Sequence, residues 1–190
     1  MRLHYKGVYN LEPDSLPQRP HRPGAVPFKE AKDTRTLSII GNALGAVIIA
    51  LLLVSAIFRG KSTFDTFQMI LGCVLPMAVL LPHELLHAAC FRKDVYLYTN
   101  LRQGMLFVVG PEDMSKARFL LMSLLPNIVF GLIPYAIGMA LPNMALSAFG
   151  AICTGMGAAD YYNVFNTLTQ VPNGAKIYAS GFNSYWYLPK

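Results

Sequence analysis

The run His83-Glu84-Leu85-Leu86-His87 sets two imidazoles four residues apart with a carboxylate beside the first. On a helix, positions four apart lie one turn apart on one face, so both ring nitrogens can reach a single Zn²⁺. The glutamate can take a proton from water activated by such an ion, whose pKa falls to about 7. A catalytic zinc keeps three protein ligands and one open position. Asp160, in Gly155-Met156-Gly157-Ala158-Ala159-Asp160-Tyr161, is the obvious third ligand. Glu112 and Asp113, about 25 residues after His87, are rivals, but they follow Gly110-Pro111 in a polar loop and read as solvated. Cys90, three residues after His87, could also face a metal. In Ser123-Leu124-Leu125-Pro126-Asn127, the amide of Asn127 could orient substrate, stabilise an oxyanion or bond a neighbouring helix. Asn163 reads as a partner that holds a ligand in place, and Asn166 as a residue bonded to backbone.

The elements that must position these groups are read from where the apolar residues gather. The chain is 54% hydrophobic and 14% charged, with mean hydropathy +0.39. A soluble domain carries about 25% charged residues. Four runs, over 37–58, 67–91, 119–141 and 144–171, are long enough for the roughly 20 apolar residues of a membrane span. The first starts behind a long polar leader and is too long for a cleaved signal segment. The expected fold is therefore a mainly α, polytopic membrane protein with four transmembrane helices. Glu84 and Asp160 are the two acids within these runs. Burying a charge at membrane depth is costly, so such residues are functional candidates by default. Pro76 and Pro82 break the backbone ladder of the second run, which suits a hydrated site.

Three polar regions flank the spans. Residues 1–35 form a leader in which Pro13, Pro17, Pro20, Pro23 and Pro27 favour extended chain over helix. Residues 95–109 read as a short hairpin, β-branched and aromatic on either side of a turn around Asn100–Gly104. Residues 172–190 are rich in tyrosine and read as an interfacial tail, with room for a strand. Of sixteen Lys and Arg, fourteen fall in or beside these three regions, and two, Arg59 and Lys61, follow the first span. The positive-inside rule places both termini and the hairpin in the cytoplasm and the chain in the cell membrane. On that basis His83 lies about 13 Å from the cytoplasmic edge and Asp160 about 16 Å, level within a turn. The net charge of +6 fits a basic face against anionic lipid and calls for no nucleic acid. Cys73, Cys90 and Cys153 all fall within spans, where packing is the expected role and disulfides are not.

Over roughly residues 67–190 the chain resembles the site-2 protease superfamily of intramembrane zinc proteases. Within it, the chain is most similar to a small bacterial family described as putative zincin peptidases. The resemblance rests on His83–His87, the hairpin-like segment after it, Leu125-Pro126-Asn127, Asp160 and the ending Gly181-Phe182-Asn183-Ser184-Tyr185-Trp186-Tyr187. Where the superfamily usually reads Leu-Asp-Gly, this chain has Ala159-Asp160-Tyr161. The resemblance implies zinc on His83, His87 and Asp160, with Glu84 catalytic. The expected activity is zinc-dependent hydrolysis of peptide bonds in membrane-embedded or membrane-proximal substrates, with the hairpin edge holding an extended segment by strand addition. The alternatives are a non-catalytic membrane scaffold or chaperone that keeps a metal-binding fold, and a metal carrier or sensor.

Overall fold

A chain segment inside a bilayer must satisfy its own backbone polar groups, so the apolar runs fold as helices. The computed structural model describes residues 1–31, 33–59 and 65–189. Lys32, Lys61 and Lys190, which enter the charge distribution above, lie outside the described residues. Helix α1 covers Thr34–Arg59, and Asp33 at its start accepts from the Thr36 N–H at 2.8 Å. The second run divides into α2 (Thr66–Val74) and α3 (Pro76–Ala89), which meet at Leu75 because Pro76 has no N–H to continue the ladder. The third run comprises α4 (Lys116–Pro126), a π-helical turn (Asn127–Leu132) and α5 (Ile133–Ala140). The stretches Thr34–Arg59, Thr66–Ala89 and Lys116–Ala140 are each long and apolar enough to cross a membrane, which places the chain among membrane proteins.

The fourth run, read in the sequence as one span over 144–171, is not one helix. It divides into α6 (Met144–Met156) and α7 (Ala158–Gln170) at Gly157. The 13 residues of α6 rise only about 20 Å, short of the roughly 30 Å hydrocarbon core. Glycine at the break leaves room for a neighbour: a Cβ at position 157 would overlap the carboxamide of Asn127. Helix α6 is lined with small residues and packs against α1, α2 and α5. Backbones meet closely at all three: Gly150 lies against the backbone of Tyr135 in α5, Gly72 of α2 lies against the Ala145 carbonyl, and a Cβ on Gly45 of α1 would sit 2.6 Å from the carbonyl oxygen of Gly155. Small residues of this kind drive helix association in membranes. All three cysteines are free: Cys153 is buried in α6, Cys90 is half-buried and Cys73 lies on an exposed face of α2.

The polar regions build two sheets. One has the order β1-β3-β4, with β1 (Arg2–Val8) parallel to β3 (Asp94–Asn100) and β4 (Met105–Val109) antiparallel to β3. The other has the order β2-β7-β6-β5, formed by β2 (Val26–Pro27), β5 (Met114–Ser115), β6 (Lys176–Ser180) and β7 (Asn183–Tyr187). The proline-rich leader thus gives one strand to each sheet. Between its strands, Arg19 donates to the Pro111 carbonyl at 2.5 Å and pairs with Asp113 at 2.9 Å, and Arg22 pairs with Asp113 at 2.9 Å. The tail folds as the β6–β7 pair. Sheet and helices join through a core of Ala88, Phe91, Val95 and Met114, against which Val108, Phe119 and Met122 pack. This core fixes the end of α3 against β4 and α4, the elements around His83–His87.

Candidate metal centre

His83 and His87 lie one turn apart on α3, as the spacing requires, with Nε2 atoms 3.1 Å apart. Asp160, in the first turn of α7, brings one carboxylate oxygen to 3.3 Å from His83 Nε2 and the other to 3.3 Å from His87 Nε2. Four ligands at about 2.05 Å around a tetrahedral zinc are separated by about 3.3 Å. The separation of the two imidazoles is close to that spacing, and each imidazole has a different Asp160 oxygen at that distance. Glu84 also belongs to the group, since ligand atoms of His83, Glu84 and His87 lie within 4.8 Å of one another and could hold a metal ion. The two carboxylates differ in their other contacts. Asp160 faces both imidazoles, whereas Glu84 Oε2 accepts the backbone N–H of Val108 at 3.0 Å.

Two of the three ligand candidates are held from behind. His87, buried on α3, donates from Nδ1 to the carbonyl of Met122 on α4 at 2.8 Å. A carbonyl only accepts, so Nδ1 carries the proton and the Nε2 lone pair is free for a metal. Asn127, fully buried at the start of the π turn, donates one amide proton to the Ser123 carbonyl at 3.1 Å and the other to Asp160 Oδ2 at 2.8 Å. The reverse amide orientation would set its oxygen against two other oxygens, so the hydrogen bonds themselves fix the assignment. Both amide donors of Asn127 are therefore spent inside the protein.

The remaining sequence candidates sit elsewhere or stand back from the group. Glu112 accepts from the backbone N–H groups of Arg92 (2.7 Å) and Lys93 (2.9 Å) and pairs with the guanidinium of Arg118. Arg118 Nε also donates to the Cys90 carbonyl at 2.8 Å. Asp113 is taken by Arg19 and Arg22. Read in the sequence as solvated, these two acids are paired instead, because the leader and α4 supply the cations. Asn163 lies one turn beyond Asp160 on α7, and no hydrogen bond joins it to the cluster. Asn166 accepts from Gln170 Nε2 at 2.9 Å, a side chain rather than backbone. Three contributors escaped the sequence reading: the Met122 carbonyl, the Val108 N–H and Gly157. Backbone groups carry no side-chain signature, and a glycine among small residues reads as packing.

The Glu112 network makes one pH prediction. Burial pushes the Glu112 carboxyl up, but the Arg118 guanidinium and the two backbone N–H groups outweigh it and hold the group below its ordinary value. A depressed carboxylate contributes stability in full above its unfolded pKa and loses it as pH falls through the folded value. Thermal stability of the wild type should therefore fall on acidification below about pH 4, the ordinary glutamate range. Glu112→Gln should show a flatter profile over the same interval by thermal denaturation in detergent. Parallel profiles would remove Glu112 from the account.

Fold and site together define a class: a membrane protein with a His-Glu-His group that could hold a metal, backed by a second carboxylate. The chain belongs to the family described as "Putative zincin peptidase", whose model matches residues 76–176, more than half of its length. The match begins at the first residue of α3 and includes His83, Glu84, His87 and Asp160. Membership points to a metallopeptidase and implies zinc as its metal. No curated protein and no solved structure matches the chain.

Proposed function

We propose that the protein is an intramembrane zinc metalloendopeptidase of the site-2 protease kind, acting on membrane-embedded or membrane-proximal polypeptide. The observation that carries this is the convergence of His83 Nε2, His87 Nε2 and the Asp160 carboxylate at 3.1–3.3 Å from two separate helices. These three residues hold the metal. When bound, a zinc ion there acts as a Lewis acid and lowers the pKa of water to about 7. Glu84 is the general base: it takes a proton from the attacking water and passes it to the amine as the C–N bond breaks. Consecutive residues on a helix point about 100° apart. Glu84 is thus turned from the ligand face toward β4, where Val108 meets it. Asn127 positions Asp160.

Strand β4 is an edge strand, and its Val108 N–H points away from β3 toward Glu84. An extended substrate added along this edge would take that N–H with a backbone carbonyl and leave Glu84 free for water. The apolar helices put the reaction within the membrane. Leader, hairpin and tail share two sheets, which supports placing all three on one side, the cytoplasmic one by charge. With the segment before α4 and the tail after α7 on one side, α6 and α7 together form the returning, fourth crossing. Packing of α1 against both α6 and α7 supports this path.

The test is metal content. Purified protein reconstituted with zinc should bind about one ion per chain, while His83→Ala and Asp160→Ala should lose stoichiometric binding. A wild type that retains no zinc would overturn the reading.

A further inference from the structure

We infer that Pro126 is a positioning residue for His87, acting through a backbone carbonyl that it withholds from its own helix. The inference rests on the zinc site proposed above and asks what holds the second histidine in its ligating orientation.

In an α-helix the N–H of residue i closes on the carbonyl of residue i−4. For the Met122 carbonyl in α4 that partner is position 126, where proline has no N–H to give. The pyrrolidine ring also crowds the i−4 carbonyl and turns it outward. Within a buried, apolar region a carbonyl so released needs another donor. His87 Nδ1 supplies it from α3 at 2.8 Å. The His87 side chain is 8% exposed, which leaves water little access to the bond. The consequence is a fixed tautomer and a fixed ring plane, with Nε2 turned to His83 and Asp160. Any residue with an N–H at position 126 would draw the Met122 carbonyl back into the α4 ladder, and His87 would have to share it.

The next residue repeats the device for the third ligand. The Asn127 backbone N–H closes on Leu124, one residue short of the α-helical register, and its carboxamide takes the Ser123 carbonyl and Asp160. The π turn begins at this point, a distortion that in helices often marks a functional site. One step in the chain, Pro126-Asn127, therefore orients two of the three candidate ligands on two other helices. His83 has no comparable anchor among the described residues: its hydrogen bonds run only to His87 and Asp160.

The experiment measures zinc affinity of the full chain in detergent by competition with a chromophoric chelator. Pro126→Ala restores the N–H and should weaken binding several-fold, toward the roughly 10- to 100-fold loss that follows when the partner of a ligating histidine is removed outright. Its thermal midpoint should hold or rise, since alanine favours helix. Lactic acid incorporated at position 126 lacks both the ring and the N–H, and should bind zinc like the wild type. That rescue separates a missing donor from a mere kink. Wild-type affinity in Pro126→Ala overturns the inference, and so does weak binding by the lactic acid protein, which stands as a test even if the alanine protein fails to fold. In both cases the wild type still binds zinc, which distinguishes these outcomes from failure of the zinc site itself.

Discussion

Glu84→Gln should lower the rate of peptide hydrolysis by about 10²- to 10⁴-fold while leaving zinc content at the wild-type level. Glutamine has nearly the shape of glutamate and keeps an oxygen to accept the Val108 N–H, so the local structure should survive. It cannot take a proton from water. The measurement is cleavage of fluorescently labelled casein, an unfolded polypeptide, by purified protein in detergent, with metal analysis of the same samples. The paired readout also decides between the two carboxylates at the site. Loss of zinc in Glu84→Gln would make Glu84 a ligand, as its grouping with His83 and His87 allows. Retained zinc with lost turnover makes it the base and leaves ligation to Asp160. Equal turnover in the two proteins would remove Glu84 from the mechanism and favour a scaffold that keeps the metal site without its chemistry.

The largest loss of stability should come from Arg118→Met. Arg118 joins three segments near the exit of α3: its guanidinium pairs with Glu112, its Nε caps the Cys90 carbonyl, and Glu112 in turn holds the N–H groups of Arg92 and Lys93. A cation at the C-terminal end of a helix also complements its dipole. Glu112 is nearly buried, with 6% of its side chain exposed, so removal of Arg118 leaves a carboxylate without a counterion. Breaking one side of a buried pair costs about 3–5 kcal/mol. Thermal denaturation in detergent should show a large drop for Arg118→Met, much of it regained when Glu112→Gln is added, because the orphaned charge is then gone. Arg92→Met is the control, since only the backbone of Arg92 enters the network. A drop no larger than that control would show the pair to be worth no more than an exposed one.

The His83–His87 pair was legible because ligand spacing along one helix is a local property. Two residues four apart share a face whatever surrounds them. The apolar runs were legible for a similar reason: length and absence of charge are enough to mark helices suited to lipid. Asp160 stood out as a costly charge in an apolar stretch, and residues 95–109 as two strands about a turn.

Other features depend on contacts between distant segments. The fourth run divides at Gly157, where the Asn127 carboxamide packs against the chain, a contact across thirty residues. The capture of the leader into both sheets depends on edges offered by β3 and β7. Glu112 and Asp113 look like loop acids until Arg118, Arg19 and Arg22 are brought to them. At the His-Glu-His helix itself, residue types and spacing were enough to mark a group that could hold a metal ion. What they could not supply was the orientation of each group, because it is set by backbone partners on other elements: Met122 for His87 and Val108 for Glu84. A hydrogen bond to a backbone group leaves no trace in residue identity, save where a proline marks the carbonyl it has released.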